Sequence, residues 1–230
     1  MCGIAGFWRN ASDRNAGWLE EIASKMANTL VHRGPDDSGT WVDPEVGIAL
    51  GHRRLSIIDV SDAGHQPMAS SDGRYVIIYN GEVYNFQGLG EQLEKLGHSF
   101  RGHSDTEVML AAFVQWGVEA SVKKFNGMFA FAMWDRRNRL LWLARDRIGE
   151  KPLYYGVQNG TLFFASELKA IRSNPKFKAE IDRDALASFL RFSYVPAPYS
   201  IYKGIKKLLP GHFICLKSPT EATGSQPYWS

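Results

Sequence analysis

Two spacings of apolar residues alternate along the chain, and the places where one gives way to the other divide it into elements. Residues 2–8 form a short run of apolar and small residues that suits a buried strand. Leu19, Ile22, Ala23, Met26 and Leu30 then keep the three-and-four spacing that puts one apolar face on a helix. The turn-rich HRGPDDSG (32–39) predicts a loop, and VGIAL (46–50) and RRLSII (53–58) predict strands, the second closed by DVSDAGHQP. RYVIIYNGEVYN predicts another strand, ending at Asn80-Gly81. Helices are expected over 87–96 and 106–116. The second carries Val108, Leu110, Ala111, Ala112 and Val114 nearly all round, as a helix packed on several sides would. From Gly127 strands return as MFAFAMW, LLWLAR, PLYYGV and TLFFAS, the last two joined by Gln158-Asn159-Gly160, a strong hairpin signal. Short helices over 167–172 and 184–192 and a strand at GHFICL follow, and the polar SPTEATGSQPYWS reads as a linker. Helices fall in separate blocks and no βαβ alternation or internal repeat occurs, so the pattern predicts a layered α+β domain.

Composition narrows this picture. With 230 residues, 44% hydrophobic and 13% aromatic, the chain can bury a core of one large domain, with or without a tail. Its net charge of +3 is ordinary, and the basic clusters Arg136, Arg137, Arg139 and Lys203, Lys206, Lys207 read as a turn and a solvated face. Neither makes the basic stripe with interleaved aromatics of a strand-binding groove, so no nucleic-acid partner is expected. The start MCGIAGFWRN lacks a secretory pattern and no apolar run spans a bilayer, so a cytoplasmic chain without membrane contact is expected. A chain with such a core does not need the one disulfide that Cys2 and Cys215 could form. No histidine pair has metal-ligand spacing, so no metal is expected, and His65 and His103 read as polar loop residues.

The sharpest chemical feature is Cys2. Its small side chain permits removal of Met1, which leaves a thiol and a free α-amine on one residue. The amine has a reference pKa of about 7.7–8.0 and the thiol about 8.5, so near neutrality some amine is uncharged and can take the thiol proton. Nucleophile and base then come from a single residue. A buried, inert strand cysteine is the plain alternative, and position alone does not decide between them.

The surrounding motifs weigh on that choice. MCGIAGFW, HRGPDDSG, GHRRLSIID, YNGEVYN, SDTE, NGMFAFAMWD and RDRIGEKPLYY occur in this order over nearly the whole chain. Together they resemble the glutaminase domain of glutamine-hydrolysing asparagine synthetases, a class II amidotransferase with an N-terminal nucleophile. The GHRRLSIID, NGEVYN and RDRIGEKPLYY forms favour that branch over the related enzymes that make glucosamine 6-phosphate or phosphoribosylamine.

The resemblance implies a four-layer αββα sandwich of the N-terminal nucleophile hydrolase type over 2–216, with 217–230 leading towards an ATP-dependent synthetase domain. It assigns catalysis to Cys2, with the Asn80 carboxamide and the Gly81 N–H as oxyanion donors. It assigns glutamine binding to Arg54 (carboxylate), Leu55, Ser56, Ile57 and Ile58 (pocket), and Asp105 with Glu82 (ammonium). A plain Asn-Gly turn, a surface arginine, a helix cap in SDTE and a solvated glutamate remain open as readings of the polar members. HRGPDDSG reads as a structured loop near the nucleophile and RDRIGEKPLYY as a domain-contact or channel-side segment.

The glutaminase half would need no cofactor. The synthetase half, with its SGGxDS-like loop, is absent from this sequence and would bring ATP and Mg2+ to amidate aspartate. The expected partners are L-glutamine and that synthetase domain; a homo-oligomer is also in keeping with a chain of this size. The competing readings are a non-catalytic glutamine-binding or scaffold domain, which retention of Met1 would favour, and an amidotransferase that feeds another acceptor.

Overall fold

A computed structural model describes residues 1–10, 15–221 and 224–229. In chain order the elements are β1 (Gly3–Arg9), α1 (Ala16–Asn28), β2 (Asp37–Asp43), β3 (Ile48–Arg54), β4 (Met68–Ala69), β5 (Tyr75–Val83), α2 (Phe86–Lys95), α3 (Asp105–Trp116) and α4 (Val118–Lys124). They continue as β6 (Gly127–Asp135), β7 (Leu140–Arg145), β8 (Tyr154–Gln158), β9 (Thr161–Ala165), α5 (Leu168–Arg172), α6 (Arg183–Phe192), β10 (Ile205–Lys207), β11 (His212–Leu216) and β12 (Gln226–Pro227). The strands form two antiparallel sheets, in the orders β10-β8-β9-β1-β3-β2 and β12-β11-β7-β6-β5-β4.

Side chains alternate across a strand, so each sheet has two faces to cover. The inner faces meet through Ile4, Trp8, Ile48, Leu50, Val76, Ile78, Ala130, Ala132 and Trp134, with Trp8 edge-on to Trp134 at 5.1 Å between ring centroids. The outer face of the first sheet buries Phe7, Ala49 and Phe163 against α1 and α5. That of the second buries Tyr79, Phe129 and Phe131 against Leu93 of α2, Phe113 of α3 and Val122 of α4. This is the four-layer αββα sandwich implied by the motifs.

Four local expectations are corrected. The strand expected over 53–58 ends at Arg54, and the two strands expected over 46–50 and 53–58 are one strand, Ile48–Arg54, that runs through Gly51. Gly51 lies on the backbone of α1, where a Cβ would sit 2.8 Å from the Ala23 carbonyl oxygen. The strand expected to end at Asn80-Gly81 continues to Val83, so this pair is not a turn. A Cβ at Gly81 would collide with the Met128 carbonyl of β6, and the bare glycine lets the two strands stay paired. The second half of HRGPDDSG starts the edge strand β2. Finally, part of the stretch read as a linker is held on the domain: β12 pairs with β11, and Tyr228 stacks on Phe129 while its hydroxyl donates to the Arg145 carbonyl at 2.8 Å.

The Asn-Gly hairpin is present between β8 and β9, with positive φ at both Asn159 (49°) and Gly160 (73°), the geometry a two-residue turn requires. Among the described residues no helix is long and apolar enough to cross a membrane.

Candidate active site

The inner strand faces that carry the core change character at one end of the sandwich. Continuing the two-residue period, Ile4 is preceded by Cys2, Leu50 is followed by His52 and Arg54, Ile78 by Asn80 and Glu82, and Ala130 is preceded by Met128. The antiparallel pairings set Gly3 opposite Arg53 and Glu82 opposite Met128, which brings these ends together. The seam opens there into a cleft lined by Met1, Cys2, Arg54, Leu55, Ile57, Ile58, Asn80, Gly81, Glu82 and Asp105 among others.

The Cys2 thiol lies against the Leu55 backbone, donating to the Leu55 carbonyl (3.6 Å) and accepting from the Leu55 N–H (3.4 Å). Burial pushes its pKa above the ordinary thiol value, outweighing the Leu55 N–H, the neighbouring amine and Arg54, which pull it down. A buried thiol of this kind stays protonated near neutrality, so nucleophilic attack needs a base beside it.

Asn80 is fully buried, and within the described residues neither its Nδ2 nor its Oδ1 has a hydrogen-bond partner. An unpaired buried carboxamide costs about 1–3 kcal/mol. Such a group is stabilised by a ligand atom that can pair with it, and Asn80 faces the cleft that holds Cys2.

Arg54 is held from both sides. Its Nη1 donates to the Ser61 carbonyl (2.9 Å) and its Nη2 to the Asp59 carbonyl, leaving the rest of its five donors for other partners. Gly64 makes room for this guanidinium, since a Cβ there would overlap Nη2. The holding loop is itself braced: Asp59 accepts from the Ser61 hydroxyl (2.6 Å), the Ser61 N–H (2.8 Å) and the His103 N–H (3.0 Å), which together bring its carboxyl to about 2.

At the start of α3 the cap is Ser104, whose hydroxyl accepts from the Glu107 N–H. That leaves the Asp105 carboxylate free of capping, and it accepts from the Tyr79 hydroxyl (2.7 Å) and the Val83 N–H (2.9 Å) at the cleft wall. Burial raises its pKa against the pull of these bonds, with Glu82 adding to the rise. A cation bound in the cleft would relieve that repulsion.

Nine of the ten residues singled out in the sequence line the cleft. Ser56 does not: its N–H donates to Asp36 Oδ2 (2.8 Å), and the chain turns so that Leu55, Ile57 and Ile58 face inward. HRGPDDSG does reach the nucleophile, through Arg33 Nε donating to the Cys2 carbonyl (2.9 Å) while its Nη1 pairs with Glu167 (2.9 Å).

Other wall residues escaped the sequence reading. Gln66 bridges β5 to α3, accepting from the Tyr79 N–H (2.7 Å) and donating to Thr106 Oγ1 (3.3 Å). Lys151, from the RDRIGEKPLYY segment, is also in the wall. Neither sits in a periodic pattern that could have singled it out. His52 lies behind the site on the Tyr79 carbonyl (3.0 Å), and burial lowers its pKa to about 4, which keeps it neutral.

Residues 1–229 match the family model described as "Glutamine amidotransferase domain". The chain belongs to this family. Relatives of this amidotransferase domain include asparagine synthetase (glutamine-hydrolyzing) 3 of Bacillus subtilis strain 168, 41% identical over 92% of this chain and 34% of that protein. Asparagine synthetase (glutamine-hydrolyzing) 1 of the same organism is 40% identical over 97% of this chain and 34% of that protein. The amidotransferase domain thus spans about a third of the length of these curated relatives. Among solved structures, the glutamine phosphoribosylpyrophosphate amidotransferase from B. subtilis, complexed with ADP and GMP, superposes with a TM-score of 0.71. It is 20% identical and covers 99% of this chain and 49% of that one, a likeness of fold.

Proposed function

We propose that this domain hydrolyses L-glutamine to glutamate through a Cys2 thioester and passes the ammonia to an ATP- and Mg2+-dependent synthetase domain that amidates aspartate to asparagine. The observation that carries the glutaminase reading is the buried, unpartnered Asn80 carboxamide in the same cleft as the Cys2 thiol. Aspartate as acceptor is supported by the names of the two Bacillus relatives. The free thiols of Cys2 and Cys215 suit a reducing, cytoplasmic setting.

In this mechanism the α-amine of processed Cys2 takes the thiol proton, and the thiolate attacks the glutamine carboxamide carbon. The oxyanion that forms accepts hydrogen bonds from Asn80 Nδ2 and the Gly81 N–H. Collapse of the tetrahedral adduct, with the proton returned from the α-ammonium to the leaving nitrogen, releases ammonia and leaves a thioester. Water, deprotonated by the same amine, then frees glutamate and restores the thiol. Arg54 pairs with the substrate α-carboxylate, and Asp105 with Glu82 takes the α-ammonium, so free glutamine is selected over glutamine within a peptide.

The test follows from the amine. In preparations with different extents of Met1 removal, measured by intact mass, glutamate release is expected to scale with the processed fraction. A chain that keeps Met1 and hydrolyses glutamine at the full rate would overturn the reading, and inactivity of the fully processed chain together with retained glutamine binding would favour the non-catalytic alternative. Arg54→Ala is expected to raise the glutamine KM by roughly a hundredfold with kcat changed only a few-fold, the size of one lost charge-assisted pair. Steady-state kinetics decide this, and an unchanged KM would assign the carboxylate to another residue.

A further inference from the structure

Lys151 is a charged side chain in an unusual position. It is only 4% exposed, it lines the cleft with Cys2, and it sits at the end of a loop whose shape is set by the buried Asp146. The Asp146 carboxylate accepts from the N–H groups of Phe129, Ile148, Gly149, Glu150 and Lys151, so the lysine backbone is anchored firmly. Among the described residues Lys151 makes no ion pair with a carboxylate, and its Nζ donates to the Met1 thioether sulfur at 3.1 Å. A buried ammonium with only a thioether as partner is costly, and that partner leaves with Met1.

We infer that, once Met1 is gone, Lys151 is a positioning residue for Cys2, its buried charge holding the α-amine in the uncharged form that accepts the thiol proton. This rests on the proposed glutaminase reading. The groups around the N-terminus come from several elements. Arg33, after α1, donates to the Cys2 carbonyl and has its charge offset by Glu167. Asp36 follows in the same loop, and Arg54 closes β3 with its guanidinium engaged by the Asp59 and Ser61 carbonyls. Glu82 of β5 and Asp105 of α3 stand across the cleft wall. Among the described residues Lys151 is the cation in this set with neither a carboxylate nor a carbonyl to offset it.

The same balance is visible at the present terminus. Burial lowers the pKa of the Met1 α-amine, and the charges of Arg33 and Lys151 lower it further against the opposing Cys2 and Asp36. After processing the terminus is Cys2 itself, whose carbonyl Arg33 holds and which lines the same cleft as Lys151.

The experiment titrates the amine itself. In the Met1-free chain carrying Cys2→Ala, which removes competing thiol acylation, the pH dependence of α-amine acetylation by acetic anhydride is followed by mass spectrometry of the N-terminal peptide. Adding Lys151→Met is expected to raise the amine pKa by about half a pH unit or more, with Lys151→Arg leaving it near its original value. In the Cys2 chain the acid limb of kcat/KM should move up by the same amount in Lys151→Met and be restored in Lys151→Arg. If Lys151→Met does not fold, Lys151→Gln reads the same titration. An amine pKa unchanged by loss of the charge overturns the inference while leaving glutamine hydrolysis intact. Absence of glutaminase activity in the parent Cys2 chain, by contrast, overturns the reading on which the inference rests.

Discussion

Cys2→Ala in the Met1-free chain lowers the rate of glutamate release by at least about 10⁴-fold, because the reaction loses the atom that forms the thioester and no other group can take its place. His52, the buried histidine of β3, is neutral, rests on the Tyr79 carbonyl and does not line the cleft. Cys215 is on β11, which the sheet order places beyond β7 and β6 from β5, outside the cleft-lining set. The substitution costs little structurally, since the thiol's hydrogen bonds among the described residues are the weak sulfur ones to the Leu55 backbone. Glutamine binding measured by calorimetry should therefore persist while turnover disappears. Undiminished glutamate release in the variant would remove Cys2 from the mechanism.

Asn80→Ala should produce the second largest loss, a fall in kcat of about 10²–10³-fold with KM nearly unchanged, the signature of an oxyanion donor. The stability effect separates this from a structural role. The Asn80 side chain makes no hydrogen bond among the described residues, so truncating it breaks none, and it relieves an unpaired buried carboxamide while opening a small cavity. The melting temperature is therefore expected to hold within a few degrees while kcat collapses, a residue kept at some cost to stability for the sake of the reaction. A parallel rise in KM, or a large loss of melting temperature with kcat preserved, would assign Asn80 to binding or to packing. Gly81 resists the same kind of test: any side chain there meets the Met128 carbonyl and Phe129, so substitution disturbs the β5–β6 pairing before it reports on the adjacent N–H.

The neighbourhood of Arg54 explains why single substitutions in this cleft will couple. Asp59 joins the carbonyl loop that holds Arg54 to the segment before α3, and Gln66 joins β5 to α3 behind Asp105. The carboxylate and ammonium ends of the proposed glutamine site thus share a frame. Neighbouring groups of one network do not contribute additively, and Arg54→Ala combined with Asp105→Asn is a pair in which that coupling should appear.

What could be read from the residues alone follows from periodicity and from local backbone demands. The short continuous apolar runs of β5, β6 and β9, the all-round apolar surface of α3 and the Asn159-Gly160 turn are each encoded within a few residues, and each is present. The ordered motifs identified the family and pointed to Cys2, Arg54, Asn80, Gly81, Glu82 and Asp105, which the folded chain brings to one cleft. Polar or very short elements escaped: β2 is an edge strand with a half-exposed pattern, and β12 has two residues and is held by Tyr228 from outside its own segment. Only the tertiary structure decided that the Leu55–Ile58 run turns Ser56 away, that Ser104 rather than Asp105 caps α3, that the Asn80 carboxamide is left without a partner, and that Lys151 is buried beside Met1. The physical reason is common to all four. Each depends on which groups distant in the chain the fold brings near, Asp36 to Ser56, Tyr79 and Val83 to Asp105, and Met1 to Lys151, and local spacing carries no information about which distant partner a polar group will find.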